Sequence, residues 1–379
     1  MTRSERQLKV GFVFDDTLDN PDGVQQYMLT LGQWLEDNDH EVRYLVGETH
    51  SRIHDPTVYS LSKNVKVRFN HNRMSVPLVA NKKFITSVLD KEQFDALHVQ
   101  LPCSPLLSGR IVAMADPATS IVGTFHVVGS TRLEEVGAKL LSKLQTKMFE
   151  RIDHLVSVSK AADAFASRNF GVKTQVIPLP IDYKRFSAAK KMPYLMDGKT
   201  NIIFLGRLVE RKGVKYLIEA TKRLNERNKT ENLRVIICGG GPLESELREM
   251  VRRYHLTHLI QFVGYVSEED KMSYLASSHL TIYPSVSGES FGIVILEAMA
   301  AGSGVVMGGD NQGYRTVLGP QANHVLFNPR NSVEFADKIE ILLSTPELRA
   351  KIHKWQESEV LKYDVNRVGK ELLELYIRK

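Results

Sequence analysis

The chain has 379 residues, 42% hydrophobic and 25% charged, a composition of ordinary globular protein with room for two domains. Its formal net charge of +6 splits evenly, three net positive charges in residues 1–190 and three in 191–379, which leaves no basic arm and argues against nucleic acid as a partner. Cys103 and Cys238 are its only cysteines, no Cys/His cluster has metal-ligand spacing, and no apolar run approaches the ~20 residues needed to span a bilayer, so a reducing cytoplasm is the expected compartment.

Lys9–Phe14 reads as a buried strand behind a charged start, too short an apolar stretch for a signal peptide. Asp22-Gly23 then opens a helical pattern from Val24 to Asn38. Gly23 occupies the usual place of a phosphate-proximal glycine, and an ordinary helix start capped by Asp22 is the simpler alternative. Val42–Val46 completes a βαβ unit. Further on, Lys63, Lys66, Arg68, Arg73, Lys82 and Lys83 are opposed only by Asp90. Such a stretch suits an anionic lipid surface, at about 1 kcal/mol per charge, or a solvated helix face.

Strands follow at Ala96–Val99, Ile121–Phe125, Leu155–Val158 and Gln175–Ile177, with a helix over Arg132–Phe149 that sets Lys139, Lys143 and Lys147 beside leucines. His126 comes directly after a strand, where it would project into a cleft. From Asp182 to Lys199 the chain turns polar and reads as a linker.

The alternation then restarts at Ile202–Leu205, Arg234–Cys238, Ile260–Val263, Leu280–Tyr283, Gly304–Met307 and Val325–Phe327. The expected fold is α/β: two Rossmann-like parallel-sheet domains facing a cleft, 1–185 and 186–362, with a C-terminal helix in 363–379 returning to the first.

Three loops of the second half carry chemistry. Gly206-Arg207 through Arg211-Lys212-Gly213 leaves a strand and delivers cations into one turn, and Arg207 with Lys212 makes a diphosphate clamp. Gly239-Gly240-Gly241-Pro242 lets the backbone approach a ligand closely or simply turn tightly; it lacks both the P-loop and the dinucleotide spacing. In Gly288-Glu289-Ser290-Phe291-Gly292 and the apolar run to Gly302, a carboxylate sits in a glycine-bracketed turn and a second, Glu297, two helical turns along. Paired carboxylates accept hydroxyls, and a helix N-terminus favours phosphate, so the layout suits a sugar nucleotide.

In this order the motifs resemble the GT-B glycosyltransferases of family four, retaining enzymes that use nucleotide-activated sugars. Glu289 to Glu297 corresponds to the family's Glu-x7-Glu signature. Within the family the wording around Glu289, with Thr124-Phe125-His126 and Gly23-Val24-Gln25, looks most like the bacterial phosphatidylinositol mannosyltransferases. The resemblance implies catalytic roles for Arg207, Lys212, His126 and Glu289. It implies donor binding by Gly23, Gly206, Gly239, Gly241, Ser290, Phe291, Gly292 and Glu297, with Glu289 on the sugar, Glu297 on the ribose and backbone N–H groups offered by Ser290-Phe291-Gly292. Asn70, Arg73, Lys82 and Lys83 would serve the acceptor or a membrane.

The chain departs from its nearest look-alikes at Asp22-Gly23, where they carry a double glycine, and at Leu179-Pro180-Ile181-Asp182. The activity expected is transfer of a hexose, of mannose or glucose type, from a nucleoside diphosphate sugar to an acceptor hydroxyl, without cofactor or metal. The acceptor would be a lipid at the inner face of the cell membrane. A sugar-nucleotide epimerase or a soluble small-molecule glycosyltransferase are the alternatives.

Overall fold

A computed structural model describes residues 6–19, 22–52, 54–69, 72–126 and 148–377. The chain divides into two compact units, Met1–Pro180 with Val365–Lys379, and Ile181–Asp364.

The first unit carries β1 (Lys9–Phe14), β2 (Glu41–Val46), β3 (Val58–Ser60), β4 (Ser62–Phe69), β5 (Asn72–Ala80), β6 (Ala96–Gln100), β7 (Ser120–Phe125), β8 (His154–Ser157) and β9 (Gln175–Val176). Seven of these form one sheet in the order β3-β2-β1-β6-β7-β8-β9, every pair parallel. All residues of β6 and β7 are buried, as a parallel sheet covered on both faces requires. The terminal helix Val365–Tyr376 lies on the helix Gly23–Glu36. Gly369 permits that approach, since a Cβ there would stand 2.5 Å from the Trp34 ring, and Trp34 Nε1 donates to Asn366 Oδ1 at 3.0 Å.

The second unit repeats the plan with β10 (Thr200–Leu205), β11 (Leu233–Cys238), β12 (Ile260–Gly264), β13 (Leu280–Tyr283), β14 (Val305–Gly309) and β15 (Leu326–Phe327), all parallel in the order β12-β11-β10-β13-β14-β15. Both sheets are thus the α/β layers expected from the alternation.

Three expectations need adjustment. The basic stretch is mostly a hairpin: Lys63, Lys66 and Arg68 lie on β4 and Arg73 on β5, antiparallel, with Arg68 opposite Arg73. Val65, Val67 and Phe69 alternate with Lys66 and Arg68, the period of a strand, so only Lys82 and Lys83 stand on a helix. The polar segment after Asp182 is also no bare linker. Asp182 caps a short helix, Tyr183–Ser187, by accepting the Arg185 N–H at 2.9 Å, and Phe186 and Leu195 are buried, Leu195 against Ile203, Ile236 and Tyr274. Two apolar anchors in a polar sequence suffice to fold it. Finally, the expected helix Arg132–Phe149 falls, apart from its last two residues, outside the described residues.

Candidate functional site

The loop after β10 is shaped by glycine. Gly206 (φ 156°) follows the strand, Glu210–Lys212 makes a single 3₁₀ turn, and Gly213 (φ 68°) ends it. A Cβ on Gly213 would lie 2.1 Å from the Pro284 carbonyl oxygen, so only glycine lets this loop press on the chain leaving β13. Val286 N–H donates to the Arg211 carbonyl at 2.9 Å and locks the two loops together.

That contact brings Arg211 Nη1 to 2.9 Å and Lys212 Nζ to 2.8 Å from the same oxygen, Glu289 Oε1. The three side chains are 21%, 13% and 11% exposed. Burial works to raise the Glu289 carboxyl, but the Lys212 and Arg211 charges outweigh it, with a hydrogen bond from Ser285, and hold it below the ordinary carboxylate range. Ser285 is fixed from behind by Tyr314 Oη at 3.0 Å. Arg207 lies exposed on the same loop. Arg211, present in the motif but given no role by sequence, is the second cation on Glu289. An Arg-Lys pair following a strand is the signal that could have found it.

Gly288 (φ 75°) and Gly292 (φ 96°) bracket the turn as expected. The helix is Ile293–Ala300, directly after the glycine-bracketed turn as expected, and Glu297 sits about one turn inside it. Phe291 is wholly buried and meets the Tyr363 ring edge-on at 5.6 Å, so its side chain belongs to the core; any role at the site falls to its backbone.

Glu297 is 5% exposed. Its Oε1 meets Nζ of Lys271, on the helix Glu268–Ala276, at 2.9 Å, and Glu268 Oε2 approaches the same ammonium at 2.8 Å. Burial pushes the Glu297 carboxyl up, and Lys271 pulls it back only in part. Burial works against the Lys271 ammonium, and the Glu297 and Glu268 carboxylates override it, leaving it raised. Sequence reasoning missed Lys271, since a lysine amid Glu268, Glu269 and Asp270 reads as a solvated helix face.

The glycine loop after β11 serves its own backbone. A Cβ on Gly239 (φ 129°) would lie 2.0 Å from the Gly206 carbonyl oxygen, and one on Gly241 2.4 Å from that of Leu208. The two loops at the carboxyl ends of β10 and β11 therefore pack backbone on backbone.

In the first unit, His126 follows β7 and is 7% exposed. Its Nε2 is 2.7 Å from Gln100 Oε1, so that nitrogen donates, and the Tyr27 ring meets it edge-on at 4.9 Å. Burial pushes its pKa down to about 3, which makes it a neutral imidazole. Beneath it, His98 is fully buried, with Nδ1 at 2.6 Å from Tyr376 Oη and Nε2 at 2.7 Å from Thr124 Oγ1.

Gly23 is the first residue of the helix Gly23–Glu36; Asp22 precedes it exposed and makes no side-chain cap bond, which corrects the capping alternative. Lys82 and Lys83 are exposed at a helix start, and Asn70 lies outside the described residues. Among the described residues, no helix is long and apolar enough to cross a membrane, and no group of three or more His, Cys, Asp or Glu is placed to hold a metal.

Residues 21–185 match the family model described as Glycosyltransferase Family 4, and residues 188–357 the model Glycosyl transferases group 1. The chain is 29% identical to a phosphatidyl-myo-inositol mannosyltransferase of Mycolicibacterium smegmatis over 374 residues, 97% of this chain and 93% of the relative. Among solved structures, a glycosyltransferase from Rickettsia africae matches with a TM-score of 0.78 at 20% identity, over 98% of both chains. Anabaena HepE, in complex with UDP and glucose, matches at 0.75 and 17% identity, over 97% of this chain and 99% of that one.

Proposed function

The chain belongs to the family 4, group 1 glycosyltransferases, and we propose that it moves a hexose of mannose or glucose type from a nucleoside diphosphate sugar to an acceptor hydroxyl, with retention at the anomeric carbon. The observation that carries this reading is the convergence of Arg211 and Lys212 on Glu289. Two cations gathered on one carboxylate keep a net positive charge, which attracts a diphosphate. A diphosphate, with more charge and more acceptor oxygens, competes for the cations and frees Glu289 to accept from sugar hydroxyls. Arg207, on the same loop, adds a third positive group at the leaving diphosphate, so that neutralisation comes from side chains and needs no metal. The pair Glu297 and Lys271 offers an acceptor and a donor together, which suits the two ribose hydroxyls.

In the reaction the bond from the anomeric carbon to the phosphate oxygen breaks, the bond to the acceptor oxygen forms on the same face, and the departing phosphate takes the acceptor's proton. Glu289 is ionised and ion-paired, which suits it to holding hydroxyls and not to delivering protons. His126, kept neutral, suits hydrogen bonding to a hydroxyl better than charge transfer. Preorganised donors at the leaving group supply most of the rate under this reading.

For the acceptor we propose a phosphatidylinositol-type lipid, reached by peripheral attachment to the inner face of the cell membrane. Support comes from the similarity to the Mycolicibacterium phosphatidyl-myo-inositol mannosyltransferase and from the basic residues of β4, β5 and the helix Lys82–Glu92. The test is incubation of the purified protein with nucleoside diphosphate mannoses and glucoses, with and without phosphatidylinositol vesicles, in EDTA. A lipid-linked α-hexoside is expected. An epimerised donor formed without acceptor, or transfer only to water-soluble acceptors, would overturn the lipid assignment.

A further inference from the structure

The residues around Glu289 lie at the carboxyl ends of the second unit's strands. At the amino ends, where β10, β13 and β14 begin, there is a cavity of about 480 Å³. Lys191, Lys199, His279, Arg349 and His353 line it, and no Asp or Glu does. Like charges gathered round one concave surface repel, and a protein tolerates the arrangement at least cost where an anion relieves it.

The polar partners point the same way. Lys191 and Lys199 are exposed and sit on the segment leading into β10. Arg349 and His353 project from the first two turns of the helix Pro346–Val360, whose start carries no side-chain cap, so the positive end of that helix faces the cavity as well. Arg349 Nη1 donates to the Leu342 and Leu343 carbonyls at 3.2 and 3.4 Å, which fixes the guanidinium without neutralising it. His279 Nδ1 accepts the Asn201 N–H at 3.0 Å, so the ring proton is on Nε2 and offers another donor. His353 Nδ1 is shielded from water with no hydrogen-bond partner, while its Nε2 lies 3.4 Å from Glu357. Asp197, the carboxylate beside Lys199 in sequence, is committed to Arg234 and to the Lys199 N–H.

We propose that this cavity is a second anion site, one that takes a small phosphorylated ligand with at least two negative charges, such as a diphosphate or a sugar phosphate. Three fixed cations and two imidazoles exceed what a single monovalent ion balances, and about 480 Å³ holds a group of that size. Bound there, the ligand would tie the segment before β10 to the helix Pro346–Val360.

Calorimetric titration with inorganic pyrophosphate at fixed ionic strength tests it. The wild-type protein, the Lys191→Gln/Lys199→Gln variant and the Lys212→Ala variant are compared. Both lysines are exposed, so the double variant should fold. We expect it to bind at least about tenfold more weakly in one class of sites, while Lys212→Ala keeps that class and loses a different one. Superimposable isotherms for wild type and double variant would overturn the proposal. So would a loss that chloride at equal ionic strength competes away, which would mark diffuse attraction only.

Discussion

Glu289 and Glu297 look alike in the sequence and are handled oppositely by their surroundings. Two cations hold Glu289 ionised, whereas burial pushes Glu297 up against the pull of Lys271. A buried ion pair contributes little net stability, but removing one partner strands the other charge, at about 3–5 kcal/mol. Lys271→Ala should therefore destabilise the protein by about that much in urea titration, and Lys271→Met/Glu297→Leu should recover most of the loss while weakening nucleotide binding. A Lys271→Ala variant as stable as wild type would show that Glu297 is solvated.

The loop cations make a separate prediction, because they are expected to stabilise the leaving group. Arg207→Ala, Arg211→Ala and Lys212→Ala should each lower kcat by about 10²–10³, with circular dichroism unchanged. Arg211 is the informative one, since its contact with Glu289 arises only when the loop after β10 meets the turn after β13.

At the scale of elements, glycine was recognised by sequence but its reason was only partly legible. Gly239 was open to two readings, approach of a ligand or a tight turn, and the folded chain shows backbone packing on backbone there, as it does at Gly213. Gly239→Ala combines a left-handed φ with a Cβ 2.0 Å from the Gly206 oxygen, so it should cost well over 1 kcal/mol in chemical denaturation. Gly171→Ala has the same sign of φ with open space around it, and should cost less. Equal losses would mean that φ alone, not contact between loops, sets the requirement.

Legibility at this scale followed local signal strength. Continuous apolar runs such as those of β7 and β11 announce buried strands directly. The hairpin β4 and β5 did not, because the basic residues that make up the polar half of its alternation drew attention first by their charge. The fold of the segment after Asp182 rests on Phe186 and Leu195, two residues too far apart to form a period.

For the molecule as a whole, acid stability should differ between the two units. His98 and His126, both in the first unit, have pKa values pushed down to about 3 by burial, His98 with a further push from His126. Unfolding returns each to about 6.5, so the unfolded state binds more protons between those values. Stability is then fully present above pH 6.5 and lost as pH falls, by up to about 1.4 kcal/mol per unit for each histidine. Trp34 reports the first unit and Trp355 the second. Fluorescence melts of Trp34→Phe and Trp355→Phe at pH 7.5 and 5.5 should show the larger drop in the protein that retains Trp34. Equal drops would place the acid sensitivity elsewhere.

The sequence by itself determined the class of the molecule: two parallel α/β sheets, and the order of loops that links the chain to family 4 glycosyltransferases. Those depend on local quantities, apolar period and motif spacing, which a linear chain displays. What only the tertiary structure decided is partnership. That Arg211 joins Lys212 on Glu289, that Lys271 meets Glu297, that His126 donates to Gln100, and that five basic groups surround one cavity free of carboxylates all depend on residues brought together from 26 (Lys271 and Glu297) to as many as 162 (Lys191 and His353) positions apart. Contacts of that range are set by how the strands pair and how their loops press together, and no spacing in the sequence records them.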